Sequence, residues 1–362
     1  MKELVYPRVL RPAVERRADK IGVIDGAYQG TFAQHLERVF RLGSALSGLG
    51  VGPGDRFAVM ALNSHRYLEL YHAAFCGAGV INPLNLRLAG KELTYILADS
   101  GTEVVFTDGF FAPLVEAAVE GTSVRTVVLM GEGDAAHDVD YEELLAGAEP
   151  VAPAEPDEDD PVVLMYTGGT TGLPKGVLLE QRAEMLNLYH AAIHLDLRED
   201  TMWLSQTPMF HAASMGGILG IPASGGTHVS VPAFDPSAVL DTIEAHQISL
   251  TVMVPTMIGL TMIHESYRPE RLASLRQLVY GASPMPAGLL DKILAELPDL
   301  ELVQGYGMTE CSAVLTFLLP EDHVPDSPKL RSAGRPVFGV ELSIRDDEGA
   351  EVPNGEAGEV WA

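Results

Sequence analysis

The feature that most constrains this chain is an alternation, along most of its length, of short apolar runs and longer amphipathic ones. Phe57 to Met60, Glu103 to Thr107, Thr126 to Met130, Pro161 to Tyr166, His228 to Val231, Ser249 to Val254, Leu278 to Tyr280 and Leu300 to Gln304 predict buried strands. Thr31 to Leu49, Lys91 to Asp99, Asp235 to Glu244 and Leu289 to Leu297 predict helices between them. In the first helix Phe32, Leu36, Val39, Leu46 and Leu49 fall close to helical spacing. Thr31 with Gln34 makes a capping box, and Gly48 and Gly50 stop the run. Val51 to Asp55 is a turn, and Asn63 is expected to cap a helix running to about Gly77. Strands that are apolar throughout and separated by helices argue for an α/β fold with largely parallel sheets and flanking helices. After Ser332 the helices stop. Val340 to Arg345, the turn Asp346 to Gly349 and Gly358 to Ala362 predict the start of a β-barrel.

Composition narrows the function. The 362 residues carry 24 basic and 50 acidic side chains, a net charge of −26. Such a field repels nucleic acid and anionic membrane surfaces. It does not exclude a phosphate ligand, which local backbone N–H groups, a helix N-terminus and a metal ion can hold. The two cysteines, Cys76 and Cys311, have neither metal-ligand nor disulfide-framework spacing, so free thiols in a reducing cytoplasm are expected. Met1 to Arg16 lacks the apolar core of a signal peptide, and Ala212 to Gly226 is too short and too broken to span a bilayer. No integral membrane segment is expected. Ala148 to Asp160, rich in Pro, Ala and acid, reads as a solvated connector.

The most informative stretch is Tyr166-Thr-Gly-Gly-Thr-Thr-Gly-Leu-Pro-Lys-Gly176. Gly168, Gly169 and Gly172 let the backbone turn sharply and present N–H groups to a polyanion. Thr167, Thr170 and Thr171 add hydroxyls for phosphate oxygens or a metal. Lys175 carries a charge on a flexible stem that reaches outer phosphates. This is not a Walker loop, because Pro174 precedes Lys175 and Gly176 follows it.

Thr167 to Gly176 resembles the phosphate-binding loop of the adenylate-forming superfamily of acyl-CoA synthetases, coumarate-type CoA ligases, luciferases and peptide-synthetase adenylation domains. Further landmarks occur in that family's order: Asn82 to Arg87, Pro208-Met-Phe-His-Ala212, Tyr280-Gly-Ala-Ser-Pro284, Gly305-Tyr-Gly-Met-Thr-Glu310, Ser332 to Pro336 and Gly355 to Glu359. The resemblance implies a large N-terminal domain of an acyl-CoA ligase over residues 1–330, built from two stacked, intertwined subdomains with the 166–176 loop between them. Residues 331–362 would begin the barrel. One departure is Gly168, where the family often has Ser; the lost hydroxyl is expected to tune ATP affinity.

The Gly305–Glu310 run reads in the same sense from its residues. Tyr306 offers a face for a purine, Thr309 a donor to the α-phosphate, and Glu310 a carboxylate for Mg²⁺. Taken alone, the run is equally a strand-to-helix turn with a core tyrosine. Gly281, Ala282, Ser283, Gly305, Gly307 and Met308 are expected beside the nucleotide, and Thr170 as a second metal ligand. His211 follows an apolar run, where a histidine is more often a structural hydrogen-bonder; the resemblance places it by the acyl carboxylate. His190, His194 and His264 are expected to be structural or exposed. The acyl pocket is expected from His211, Ala212, Met215, Gly216, Thr256, Gly281, Gly307, Met308 and Val314, with Ala213 and Gly217 adding room for a medium or bulky apolar acid.

The resemblance implies ATP-dependent activation of a small carboxylic acid to an acyl-adenylate, then thioester formation with CoA. Adenylation for a carrier protein and a non-catalytic homologue are the alternatives; a homodimer is allowed. The family's later ribose-binding Asp, hinge and lid lysine have no counterpart before Ala362. The expectation is therefore a fragment that binds ATP or an acyl-adenylate and catalyses poorly alone.

Overall fold

A computed structural model describes residues 3–133, 136–168 and 172–362. Among these, two large sheets carry the fold. One has seven strands in the order Val139–Asp140, Thr126–Leu129, Val104–Thr107, Arg56–Met60, Val80–Pro83, Pro161–Thr167, Lys175–Glu180. All neighbours are parallel except the last two, which form an antiparallel hairpin. The other has nine, in the order Arg335–Pro336, Thr316–Leu318, Glu301–Tyr306, Gln277–Gly281, Leu250–Met253, Met202–Ser205, Thr227–Ser230, Ile21–Asp25, Tyr28–Thr31. Its central strands are parallel and its margins antiparallel. Val104–Thr107 and Thr227–Ser230 are buried at every position, as parallel strands covered on both faces must be. Beyond Ser332 the first strand, Arg335–Pro336, still extends the nine-stranded sheet; Ser343–Arg345 and Glu359–Trp361 then pair by themselves.

The expected helices form. Phe32–Gly48 starts on the capping box, with Gln34 N–H donating to Thr31 Oγ1 (3.2 Å) and Thr31 N–H to Gln34 Oε1 (2.9 Å). Gly90–Ser100, Pro236–His246 and Ala287–Glu296 follow the periodicity, and the Asp235 carboxylate caps the second of these. Three readings change. Asn63 is not a cap: Ser64 caps His65–Ala73, and Asn63 is buried, donating to the Thr207 carbonyl (3.0 Å) and accepting from Met209 N–H (2.8 Å). It ties the smaller sheet's connection to the segment that carries His211. The N-terminal run, read only for what it is not, contains the helix Pro7–Arg16, which buries Leu10, Ala13 and Val14. The connector before Pro161 is not solvated throughout. Glu158 is buried, accepts from Leu4 N–H (3.1 Å) and pairs with Arg182.

The largest core lies between the sheets. It joins Val23 of the larger sheet and Phe57, Val59 and Val163 of the smaller to Tyr67, Tyr71, Ile218 and Leu219 on the intervening helices. A polar chain crosses it. His72 Nε2 lies 2.9 Å from the Ile218 carbonyl and His72 Nδ1 2.6 Å from His35 Nε2. Burial favours the neutral form of both rings; His72 then donates to the carbonyl and accepts from His35. His35 Nδ1 and, nearby, His228 Nε2 have no hydrogen-bond partner among the described residues.

Candidate functional site

The hairpin carries the flanks of the glycine- and threonine-rich stretch. Pro161–Thr167 leaves the buried sheet, and the returning strand begins at Lys175, opposite Thr167 in register. Gly169, Thr170 and Thr171, including the expected metal ligand Thr170, lie outside the described residues. Thr167 is the link to the second motif: its Oγ1 donates to Glu310 Oε1 at 3.1 Å. Lys175, Gly172 and Glu310 are all exposed, and a Cβ built on Gly168 would meet no heavy atom within 4 Å. The loop's flanks therefore face open space beside the 305–310 segment.

Glycines bring that segment into place. Gly281 and Gly305 pair at the ends of adjacent parallel strands. A Cβ on Gly281 would overlap the Gly305 carbonyl oxygen, and one on Gly307 the Ala313 carbonyl oxygen. The turn that follows is strained, with Ser312 at φ 51° and Ala313 at φ 77°, and across the cavity Ala282 stands at φ 62°. Tyr306 is 39% and Met308 51% exposed, so this edge presents an aromatic face and a thioether rather than burying them.

Two cavities meet here. An apolar one of about 270 Å³ is walled by Trp203, Val279 and Phe317, with Gly216, Gly281, Gly305 and Gly307 beneath. A more polar one of about 450 Å³ is lined by Arg87, Thr167, Gly168 and Pro174. His211, Ala212 and Thr309 line both. Of the remaining expected pocket residues, Met308 and Val314 also line the apolar cavity, as does Ala282. Met215 and Thr256 do not. Met215 is fully buried in the inter-sheet core, one position before Gly216, and the helix that begins at Pro255 carries Thr256 to the surface. Ser283 is exposed and lines neither cavity. Gly217 adds no room, because its missing side chain is where the Trp203 indole packs.

His211 sits at the junction. Its carbonyl accepts from Ser214 N–H (2.9 Å) and its ring leans on Phe210, centroids 4.3 Å apart. One side of the ring is open to the cavities. Desolvation on the other side, and secondarily the Arg87 charge, push the imidazole below its ordinary value, so it is neutral at pH 7. Sequence reasoning did not single out Asn187, Ala191, Leu195 and Trp203, which also line the apolar cavity. The first three lie on one stripe of the Gln181–His194 helix and its C-cap, a helix absent from the sequence-based expectations.

Among the described residues no group of three or more His, Cys, Asp and Glu clusters as a metal centre. A single exposed carboxylate beside a hydroxyl, as at Glu310 and Thr167, does suit Mg²⁺. That ion keeps most of its waters and is held by one or two carboxylates plus substrate phosphates.

Comparison with known proteins agrees with this geometry. The chain is 38% identical over 331 residues to a feruloyl-CoA synthase from an Amycolatopsis species, covering 91% of this chain and 64% of that one. It is 33% identical over 334 residues to a fatty acid–[acyl-carrier-protein] ligase from Streptomyces coeruleorubidus, with 91% and 63% covered. The chain thus spans somewhat under two thirds of the length of these relatives. In structure it is similar to an inhibitor-bound N-terminal domain of FACL13 from Mycobacterium tuberculosis, with a TM-score of 0.86, 29% identity and 99% and 88% of the two chains covered. It is also similar to an anthranilate CoA ligase in complex with anthranoyl-AMP, with a TM-score of 0.90, 26% identity and 99% and 70% covered. The family model described as AMP-binding enzyme matches residues 10–362, so the chain, with its hairpin joined through Thr167 to the Gly305–Glu310 edge, belongs to the AMP-binding enzyme family.

Proposed function

We propose that this chain activates a carboxylic acid with ATP, forming an acyl-adenylate and pyrophosphate, and serves a protein that then passes the acyl group to CoA. The observation that carries this reading is the meeting of an apolar cavity and a polar one at His211, Ala212 and Thr309, with Thr167 hydrogen-bonded to Glu310 beside it. The acid's tail lies in the apolar cavity and the triphosphate in the polar one. The carboxylate and α-phosphorus then face each other at the junction. Holding the attacking and leaving oxygens in line is most of the work in phosphoryl chemistry. The carboxylate is already ionised at neutral pH and needs no base. Neutral His211 donates to it without competing as a charge, and Thr309 donates to a phosphoryl oxygen. Lys175 and Arg87 face the outer phosphates. Glu310 would hold Mg²⁺, which neutralises phosphate charge when bound.

Acid-dependent ATP–pyrophosphate exchange tests this. Lys175→Ala and Glu310→Ala are each expected to lower it about 10² to 10³-fold, the scale of losing one electrostatic stabiliser. Exchange unchanged in both variants would sink the reading. A milder change tests the loop. Gly168→Ser adds a hydroxyl in open space, where it can donate to phosphate. ATP affinity by calorimetry is expected to rise about threefold to tenfold, the worth of one net hydrogen bond. CoA is favoured over a carrier protein because the feruloyl-CoA synthase is 38% identical to this chain and the carrier-protein ligase 33%. Two unpaired cysteines fit a cytoplasmic setting.

A further inference from the structure

Glu184 is fully buried, yet no cation pairs with it among the described residues. One carboxylate oxygen, Oε1, has no partner among them; the other, Oε2, accepts from Asn187 Nδ2 at 3.4 Å. Such an arrangement is costly in a core and calls for a reason. Three residues further along the helix, Asn187 lines the apolar cavity, and Ser312, near enough to lower the Glu184 carboxyl, lies in the strained turn after the second motif. Glu184 therefore touches both the cavity wall and the turn that carries Thr309.

Two other polar side chains of this cavity, away from the junction, have spent their hydrogens. Thr207 Oγ1 donates to the Val252 carbonyl (2.8 Å). The Tyr280 hydroxyl donates to His323 Nε2 (2.9 Å), whose Nδ1–H goes to the Leu319 carbonyl (2.9 Å). Asn187 differs. With its amide N–H₂ turned to Glu184, its Oδ1 is left as an acceptor, and no protein donor among the described residues reaches it. The walls beside it, Trp203 and Phe317, are flat and aromatic.

We propose that Asn187 is a specificity-determining residue that accepts a hydrogen bond from a hydroxyl on the ring of an aromatic acid, and that Glu184 is the positioning residue that turns the Asn187 carbonyl into the cavity. This rests on the acid-activating reading above. A hydroxylated aromatic acid gains the bond; the deoxy acid and the methyl ether, which has no hydrogen to give, do not.

The test is calorimetric binding to this chain of AMP and of non-hydrolysable acyl-sulfamoyl adenylates of cinnamic acid and its 3-hydroxy, 4-hydroxy and 4-methoxy derivatives. At least one hydroxylated ligand is expected to bind about tenfold more tightly than both the unsubstituted and methoxy ligands. Asn187→Leu should bring that ratio to about one. Glu184→Leu should reduce it too, while Glu184→Gln, which still accepts from the Asn187 amide, should restore most of it. AMP binding checks that each variant is folded, and a purely structural role would lower all affinities together without moving the ratio. If AMP and the adenylates bind but the wild-type chain shows no hydroxyl preference, or Asn187→Leu keeps it, the proposal is wrong and the acid-activating reading stands. If nothing binds, both fall.

Discussion

Between pH 6 and pH 5 the chain is expected to lose about 3 kcal/mol of folding stability. The cause is the polar chain through the inter-sheet core. Burial, then the His72 ring, push His35 well below its ordinary value. Burial lowers His72 to about 4, against the pull of the Ile218 carbonyl, and His228 to about 3. In the unfolded chain all three titrate near the ordinary value of about 6.5. Below that value the unfolded state binds protons that the folded state refuses, so stability falls as pH drops toward the folded values. Glu184 works the other way. Burial raises its carboxyl to about 7, so the folded state holds a proton there that the unfolded chain releases above about 4.5. From these four groups the net difference is about two protons, each worth about 1.4 kcal/mol per pH unit, and the partly buried His194, His211 and His323, also lowered, add in the same direction. Asp25 and Glu142, whose carboxyls are held low by partners, act only at lower pH. Urea unfolding at pH 6.0, 5.5 and 5.0 measures the slope, and His228→Gln should remove about 1.4 kcal/mol per pH unit of it. A flat or rising stability on acidification would show that these rings are not neutral in the fold.

Gly307→Ala is expected to destabilise the chain by about 3 kcal/mol, although it adds a single methyl group. Its Cβ would overlap the Ala313 carbonyl oxygen, and a backbone atom cannot rotate away as a side chain does. The 308–314 turn must shift instead, and it carries Thr309, Glu310 and the Ser312 contact to Glu184. Adenylate-analogue affinity should fall with stability. Gly168→Ala, whose Cβ enters open space, is the control and should leave stability within about 0.5 kcal/mol. Equal melting temperatures for the two variants would contradict the close approach.

Much of the fold was legible because parallel strands buried on both faces must be apolar throughout, which isolates them in the sequence. The Thr31–Gln34 capping box marked its helix start correctly. What hid was structure whose sequence signal is weak. The Gln181–His194 helix has polar residues, Gln181, Glu184 and Asn187, on the same buried face as Met185, Leu188 and Ala191, where an amphipathic pattern would be apolar. Asn63 looked like a cap because its amide serves equally well to bridge two backbone segments. Thr167, His211 and Thr309, singled out because chemistry restricts the residue, all line the polar cavity. The site was not readable where only direction matters. Met215 and Gly216 are neighbours, yet one faces the core and the other the cavity.

The run from Lys175 to Leu195 contains no loop: a strand passes directly into a helix. Its first residue stands opposite Thr167 in the hairpin and its last turns wall the apolar cavity. Lengthening or shortening it by one residue would rotate the helix by about 100° and turn Asn187 and Ala191 away from the cavity. The lining of that cavity can therefore drift by exchanging side chains along the stripe, but not by insertion or deletion, which would displace the stripe and the hairpin's end together.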